Sequence, residues 1–205
     1  MDTTPDFRSQ MLRSNVKKAD AILVTHHHKD HIAGLDDIKA FTYFQEKPMS
    51  VFGSKITQDA LRKEFSYVFA DHRYPGIPEI DLYDIPEETF LVGDIPVTPI
   101  NVMHYRMPVK GFRFGNFTYV TDANFIEPSE KEKIRGSDVL VINALRHKKH
   151  ISHFNVEEAL ELADELSIPT TYFTHLSHQL GLHKEVSQTL PPGRFLAYDM
   201  MVITL

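Results

Sequence analysis

Apolar residues fall in short runs between polar turns, and their spacing switches between the two-residue period of strands and the three-to-four-residue period of helices. Ala21-Ile22-Leu23-Val24-Thr25 is an apolar, partly β-branched run that reads as a buried strand and stops at a cluster of His. Between Ile32 and Phe44 the spacing of Leu35, Ile38 and Phe41 predicts a helix. Ser54 is placed to cap a second helix carrying Ile56, Ala60, Leu61, Phe65 and Val68. Gly and Pro make residues 70–78 a loop. Strands are expected at 81–85, 97–103, 112–114 and 117–121, the last two joined by Gly115-Asn116 in a tight hairpin. Residues 139–143 and 170–174 read as further strands. Asn155 with Glu158 three residues later predicts a capping box opening a helix that bears Val156, Ala159, Leu160, Ala163 and Leu166. A final hairpin of 195–198 with 201–203 is expected to end the sheet. The alternation is mixed α/β, with no repeat, low-complexity tract or linker, so a single domain over 1–205 is the expectation.

Composition narrows the function. The chain has 205 residues and a mass of 23.6 kDa, with 42% hydrophobic and 24% charged residues, in the ordinary range for a folded globular chain. No apolar run approaches the about 18 residues of a membrane span, and Met1–Gln10 has no basic start followed by an apolar stretch. The chain has no Cys, which removes disulfides, thiolate metal sites, cysteine nucleophiles and Fe–S clusters together. That fits a reducing, cytoplasmic setting. A net charge of −6 opposes binding to nucleic acid, which needs a field of Lys and Arg over the phosphates. The anomaly is the 12 His.

His26-His27-His28-Lys29-Asp30-His31 contains His-x-His-x-Asp-His directly after a strand. Neutral imidazole and carboxylate suit Zn, Mn and Fe, and a loop leaving a strand can turn alternate side chains toward adjacent ions. His104, Asp122 and His175 each stand at the end of a predicted strand, where ligands for one centre collect. His72, His147, His150 and His183 lie among polar, basic or loop residues and are expected at the surface. His178, three residues after His175, either lines the pocket or does not. Phe112, Phe114, Phe117 and Tyr119 alternate along the hairpin as core residues rather than as a platform for stacking bases.

These motifs resemble the metallo-β-lactamase fold hydrolases, marked by His-x-His-x-Asp-His followed by separate His, Asp and His motifs. The likeness covers nearly the whole chain. It is nearest to the phosphodiesterase branch that includes phosphoribosyl 1,2-cyclic phosphate phosphodiesterase and, more distantly, the tRNA 3′-processing ribonucleases. Thr174-His175-Leu176-Ser177-His178 carries it best. The resemblance implies a four-layer αββα sandwich, with one metal held by His26, His28 and His104 and a second by Asp30, His31 and His175. Asp122 would bridge both, and His27 and Lys29 would be spacers. His153, in Ser152-His153-Phe154-Asn155, resembles the extra His that this branch uses as proton donor, so Asp30 and His153 are the expected catalytic residues. Relatives begin with a strand pair carrying a Gly-Thr-Gly type turn. Thr3-Thr4-Pro5-Asp6-Phe7-Arg8 resembles the segment that follows that pair, so the fold is expected to be short at its N-terminus.

Two adjacent divalent ions lower the pKa of a bridging water toward about 7 and clamp the attacking and leaving oxygens of a phosphodiester. Their charge exceeds that of Asp30 and Asp122, leaving a positive field that favours an anionic substrate on an acidic chain. Arg146, Lys148 and Lys149 could hold a second phosphate or form a solvated basic loop, and Tyr105 and Arg106 could reach substrate. The reading is therefore a dinuclear metal-dependent hydrolase, with two Zn, Mn or Fe ions, acting on a small anionic phosphate ester such as a cyclic phosphate or nucleotide-like diester. A homodimer, no membrane and no nucleic-acid partner accompany it. An acyl (thio)ester hydrolase shares the ligand set, but its third His usually stands in Gly-His-Thr, against Met103-His104-Tyr105 here. A metal-binding relative with lapsed catalysis is the reading outside enzymes.

Overall fold

Among the described residues the strands sort by pairing into a three-stranded and an eight-stranded sheet, one in each of two compact units, Met1–Glu87 and Glu88–Leu205. The structure is a computed structural model describing residues 1–71 and 74–205; His72 lies outside the described residues.

The first unit runs α1 (Phe7–Arg13), β1 (Ala21–Leu23), α2 (Lys29–Ile32), a 3-10 turn (Leu35–Ile38), α3 (Lys39–Gln45), β2 (Met49–Gly53), α4 (Lys55–Glu64) and β3 (Ile80–Asp84). Its strands are all parallel in the order β1-β2-β3, with Ile22 opposite Val51 and Val51 opposite Leu82. Ile22, Val24, Leu35, Ile38, Val51 and Leu61 form the centre of its core. The single helix expected over 32–44 is instead α2, the 3-10 turn and α3. Gly34 interrupts it: its N–H goes to Thr3 O at 2.9 Å, and the space a Cβ would fill is taken by Thr4 O. Ser54 does cap α4, accepting from Thr57 N–H at 3.3 Å. The helix ends before Phe65 and Val68, which pack into the core from the turn beyond it, whereas Ile56 is exposed. The strand β2 was not foreseen; it alternates buried and half-buried positions as a sheet strand should.

The second unit runs β4 (Phe90–Val92), β5 (Ile95–His104), β6 (Met107–Phe114), β7 (Phe117–Val120), β8 (Phe125–Ile126), α5 (Pro128–Ile134), β9 (Val139–Asn143), α6 (Val156–Glu165), β10 (Thr170–Thr174), α7 (His183–Ser187) and β11 (Arg194–Leu196). The strand order is β11-β10-β9-β7-β6-β5-β4, with β8 against β5. β4 to β7 are an antiparallel meander, and β7, β9, β10 and β11 are parallel. Parallel strands buried on both faces read as continuous apolar runs, and all five positions of β9 are buried. Gly115-Asn116 turns the β6–β7 hairpin, with Gly115 at φ 56° and Phe114 opposite Phe117. Of the four aromatics in that hairpin, Phe112 is fully buried and the other three are half-buried.

The capping box of α6 forms as expected. Asn155 Oδ1 accepts from Glu158 N–H at 2.8 Å and Glu158 Oε2 accepts from Asn155 N–H at 3.0 Å. Asn155→Ala is expected to cost about 1 kcal/mol, read as a lower urea midpoint at unchanged slope. The expected terminal hairpin is a correction: only β11 forms, parallel to β10 with Phe195 opposite Tyr172, and 201–203 are not a strand. Val202 is 85% exposed and Met200 adopts φ 70°, so this stretch has no sheet face to bury. Among the described residues no helix is long and apolar enough to cross a membrane.

Candidate metal centre

In the first unit the His-rich segment leaves β1 and enters α2 at Lys29. The rings of His26 and His28 lie 4.7 Å apart and those of His26 and His31 4.2 Å apart, and His31 Nε2 is 3.4 Å from Asp30 Oδ2. All four expected ligands of this segment thus gather on one turn. Lys29, the expected spacer, pairs with Glu64. The buried carboxylate of Asp2 organises the group. It accepts from His31 Nδ1 at 2.9 Å, from Thr25 N–H at 2.8 Å and from Thr25 Oγ1 at 3.0 Å, and Thr25 Oγ1 is 3.0 Å from His26 Nδ1. With Thr25 donating to Asp2, its oxygen accepts from His26 Nδ1–H. Both rings therefore carry their proton on Nδ1 and their lone pair on Nε2, the arrangement typical of a metal-binding imidazole with an outer acceptor. Asp2 had no assigned role in the sequence, and nothing in its spacing marks it.

In the second unit His104 ends β5, Asp122 follows β7 and His175 follows β10. Ligand atoms of His104, Asp122 and His153 lie within 4.8 Å of one another, and His175 Nδ1 is 3.1 Å from Asp122 Oδ1. His104 Nδ1 donates to Ser152 O at 2.8 Å, which again leaves Nε2 as the donor atom for a metal. Tyr105, Asp122 and His175 adopt φ of 56°, 56° and 54°. Left-handed backbone costs a non-glycine residue roughly 1–2 kcal/mol, and here it recurs where three strands hand over to the site. Asn143 holds the Asp122 turn in place: its amide donates to Ala123 O at 3.0 Å and its Oδ1 accepts from Ala123 N–H at 2.7 Å. Asn124 likewise accepts from Tyr105 N–H at 2.6 Å and donates to Ile151 O at 3.1 Å.

His153 is 9% exposed and its ring is walled by those of His104 at 4.5 Å, His175 at 4.8 Å and His150 at 5.2 Å. Burial pushes its pKa down to about 4; the Asp122 carboxylate pulls it up in part, and the neighbouring His residues push it down again. The unfolded ring titrates near about 6.5. Because the folded value is lower, the unfolded metal-free chain binds more protons between those values, so stability rises with pH from about 4 to about 6.5 and is lost on acidification. A urea midpoint followed over that range in chelator is expected to climb, and less steeply in His153→Phe.

The remaining residues separate clearly. His147, His178 and His183 are exposed, and among the described residues no group able to hold a metal includes His178. His150 is a correction to the surface expectation: it is half-buried against His153 because Ser152 N–H donates to its Nδ1 at 3.3 Å. Arg146 is committed to its own loop, bonding Lys148 O at 3.2 Å, Lys149 O at 3.5 Å and Gln179, while Lys149 pairs with Glu158 at 3.2 Å. Arg106 lies over the Tyr105 ring at 5.0 Å.

Each unit's donor set, taken by itself, fits divalent metal in chemistry, and the Nδ1 bonds of His26, His31 and His104 leave Nε2 to a metal. Residues 1–176 match the Beta-lactamase superfamily domain. A solved structure described as a new diphosphatase from the PhnP family superposes with a TM-score of 0.91 at 34% identity, over 100% of this chain and 78% of that one. The metallo-beta-lactamase fold protein YhfI from Bacillus subtilis superposes with a TM-score of 0.75 at 20% identity, over 97% and 83%. An octanoyltransferase of Porphyromonas gingivalis is 36% identical over 201 residues, which are 97% of this chain and 40% of that protein. The chain thus spans less than half the length of that curated relative. A family match over most of the sequence, on a mixed α/β fold whose strand ends present His and Asp, means that the chain belongs to the beta-lactamase superfamily and, within it, resembles the PhnP-family diphosphatase most fully of these relatives.

Proposed function

We propose that the His and Asp residues named by the family resemblance hold two divalent ions, Zn, Mn or Fe, and that the protein hydrolyses a phosphoester bond in a small anionic substrate. A cyclic phosphate or nucleotide-like diester is the substrate class proposed. The observation that carries the reading is the shared tautomer of His26, His31 and His104, each with Nδ1 committed to an oxygen acceptor. His26, His28 and His104 would hold one ion, Asp30, His31 and His175 the other, and Asp122 both. Bound ions supply a hydroxide at neutral pH and a positive clamp on phosphate oxygens. The chain's own residues do the rest. Asp2 keeps His26 and His31 in the donor tautomer through its bonds to His31 and Thr25, and Asn143 fixes the turn that aims Asp122. His153 delivers a proton to the leaving oxygen. Burial lowers its pKa, and the charge of an anionic substrate would favour the imidazolium form. A chain without Cys suits the cytoplasm.

The test is hydrolysis of bis(4-nitrophenyl) phosphate by protein reconstituted with Mn or Zn. His153→Ala is expected to lower kcat by about 10²–10⁴-fold, the usual worth of general acid catalysis, while metal content is unchanged. An unchanged rate would remove His153 from the mechanism. The name of the 36% identical relative favours a second reading, an acyl (thio)ester hydrolase, although that name belongs to a protein more than half of which has no counterpart here. Turnover of an octanoyl thioester with silence on the diester would select it.

A further inference from the structure

His153 carries the proposed proton transfer, yet its buried Nδ1 makes no hydrogen bond; the Asp122 carboxylate stands 4.0 Å away. Imidazoles that act in acid–base steps are ordinarily oriented by a hydrogen bond on the ring nitrogen that faces away from substrate. Here orientation has to come from packing. Two of the three rings around it, His104 and His175, are expected metal ligands, with positions set by their own coordination. The third is His150, which the proposed reaction does not use.

We propose that His150 is a positioning residue that sets the ring orientation of His153. The inference rests on the hydrolase reading above. The loop that carries both residues is closed at its base by Leu145 N–H to Phe154 O at 3.0 Å and Val156 N–H to Arg146 O at 3.1 Å. Arg146 fills the loop from inside, through its bonds to the carbonyls of Lys148 and Lys149. Within that frame Ser152 faces two ways: its carbonyl takes the proton of His104 Nδ1, and its N–H is given to His150 Nδ1. The acceptor role at Nδ1 keeps the His150 proton on Nε2 and pins the ring plane. That plane lies 36° from the His153 ring at 5.2 Å, and His153 is nearly parallel, at 21°, to His175 on another side. His150 thus closes the slot in which His153 stands. Without it the ring can rotate about its side-chain bonds, and the proton no longer points at a fixed leaving oxygen.

In the metal-loaded protein, His150→Ala is expected to lower kcat on bis(4-nitrophenyl) phosphate by about tenfold, the scale of a mispositioned catalytic group, with KM and bound metal unchanged. His150→Phe, which keeps a ring face of similar size, restores most of kcat. Adding His150→Ala to His153→Ala produces no further loss, because the first acts through the second. Additive losses, a fall in metal content or an unchanged kcat would each overturn the inference. A readout without turnover separates its failure from that of the hydrolase reading. In the zinc-loaded protein, His150→Ala is expected to shift the His153 imidazole NMR signals and leave those of His26 in place. Unshifted His153 signals would overturn the inference even in a protein that hydrolyses the diester.

Discussion

Asp122→Ala is expected to abolish metal-dependent hydrolysis of a phosphodiester, with kcat/KM falling on the order of a thousandfold, the scale of removing a charge-stabilising group from an active centre. The buried carboxylate is 3.1 Å from His175 Nδ1 and accepts from Thr121 Oγ1 at 2.6 Å, so one deletion unseats several groups. Metal content measured by elemental analysis is expected to fall with it. Asp122→Gly sharpens the experiment. Both variants lack the carboxylate, but glycine accepts φ 56° without the left-handed penalty that alanine retains. The glycine variant should therefore be the more stable by about 1 kcal/mol and equally inactive. Equal stabilities would mean that the strain at 122 is no larger than the extra chain entropy that glycine loses on folding.

The second large effect is expected at Gly34, which is not itself an expected ligand. A Cβ there would stand 2.1 Å from Thr4 O and 2.6 Å from Phe7 Cβ, so Gly34→Ala must displace the N-terminal strap. That strap is stitched down by Asp2 N–H to Leu23 O at 2.9 Å and Thr3 N–H to His31 O at 2.7 Å. Overpacking of this kind costs about 1–3 kcal/mol. Because the strap also carries Asp2, metal affinity is expected to fall by about 10–100-fold, the usual worth of an outer partner of a liganding His. Urea unfolding and chelator competition measure the two losses. Asp2→Ala should reproduce the second, and full metal affinity in Asp2→Ala would show that Thr25 and His31 orient themselves without it.

The candidate ligand residues could be picked from the sequence because they sit where an apolar run stops. His26, His104, Asp122 and His175 all occupy that position, and side-chain type at a strand end is a local signal. What supports them was not legible. Asp2 meets His31 and Thr25 only after the chain has folded back, and Ser152 meets His104 through its main-chain carbonyl, a bond that any residue type could make. His150 was placed at the surface because its neighbours in sequence are basic, while its neighbours in space are other imidazoles. The fold was read in a similar way. The periodic α6 and the continuous apolar run of β9 match expectation, whereas β2 and the short β8 exist by pairing with β1, β3 and β5. The terminal hairpin failed for the converse reason, since its alternation was real but had no sheet to join.

The order of pairing in the eight-stranded sheet bears on when the centre can be filled. β5 and β6 are joined through Tyr105-Arg106 and pair from His104–Met107 outward, so this hairpin closes locally, within about 1–10 μs. His104 is thus placed early. Asp122 follows β7, which closes a local hairpin with β6, whereas His175 follows β10, whose partners β9 and β11 are parallel and distant in sequence, which makes that pairing slow. A nascent chain emerging from the ribosome carries the His-rich segment and His104 well before residue 175 is available. Loading is therefore expected to follow synthesis, and the ion acquired is the one available to the folded chain in its compartment rather than the one first met by the leading histidines.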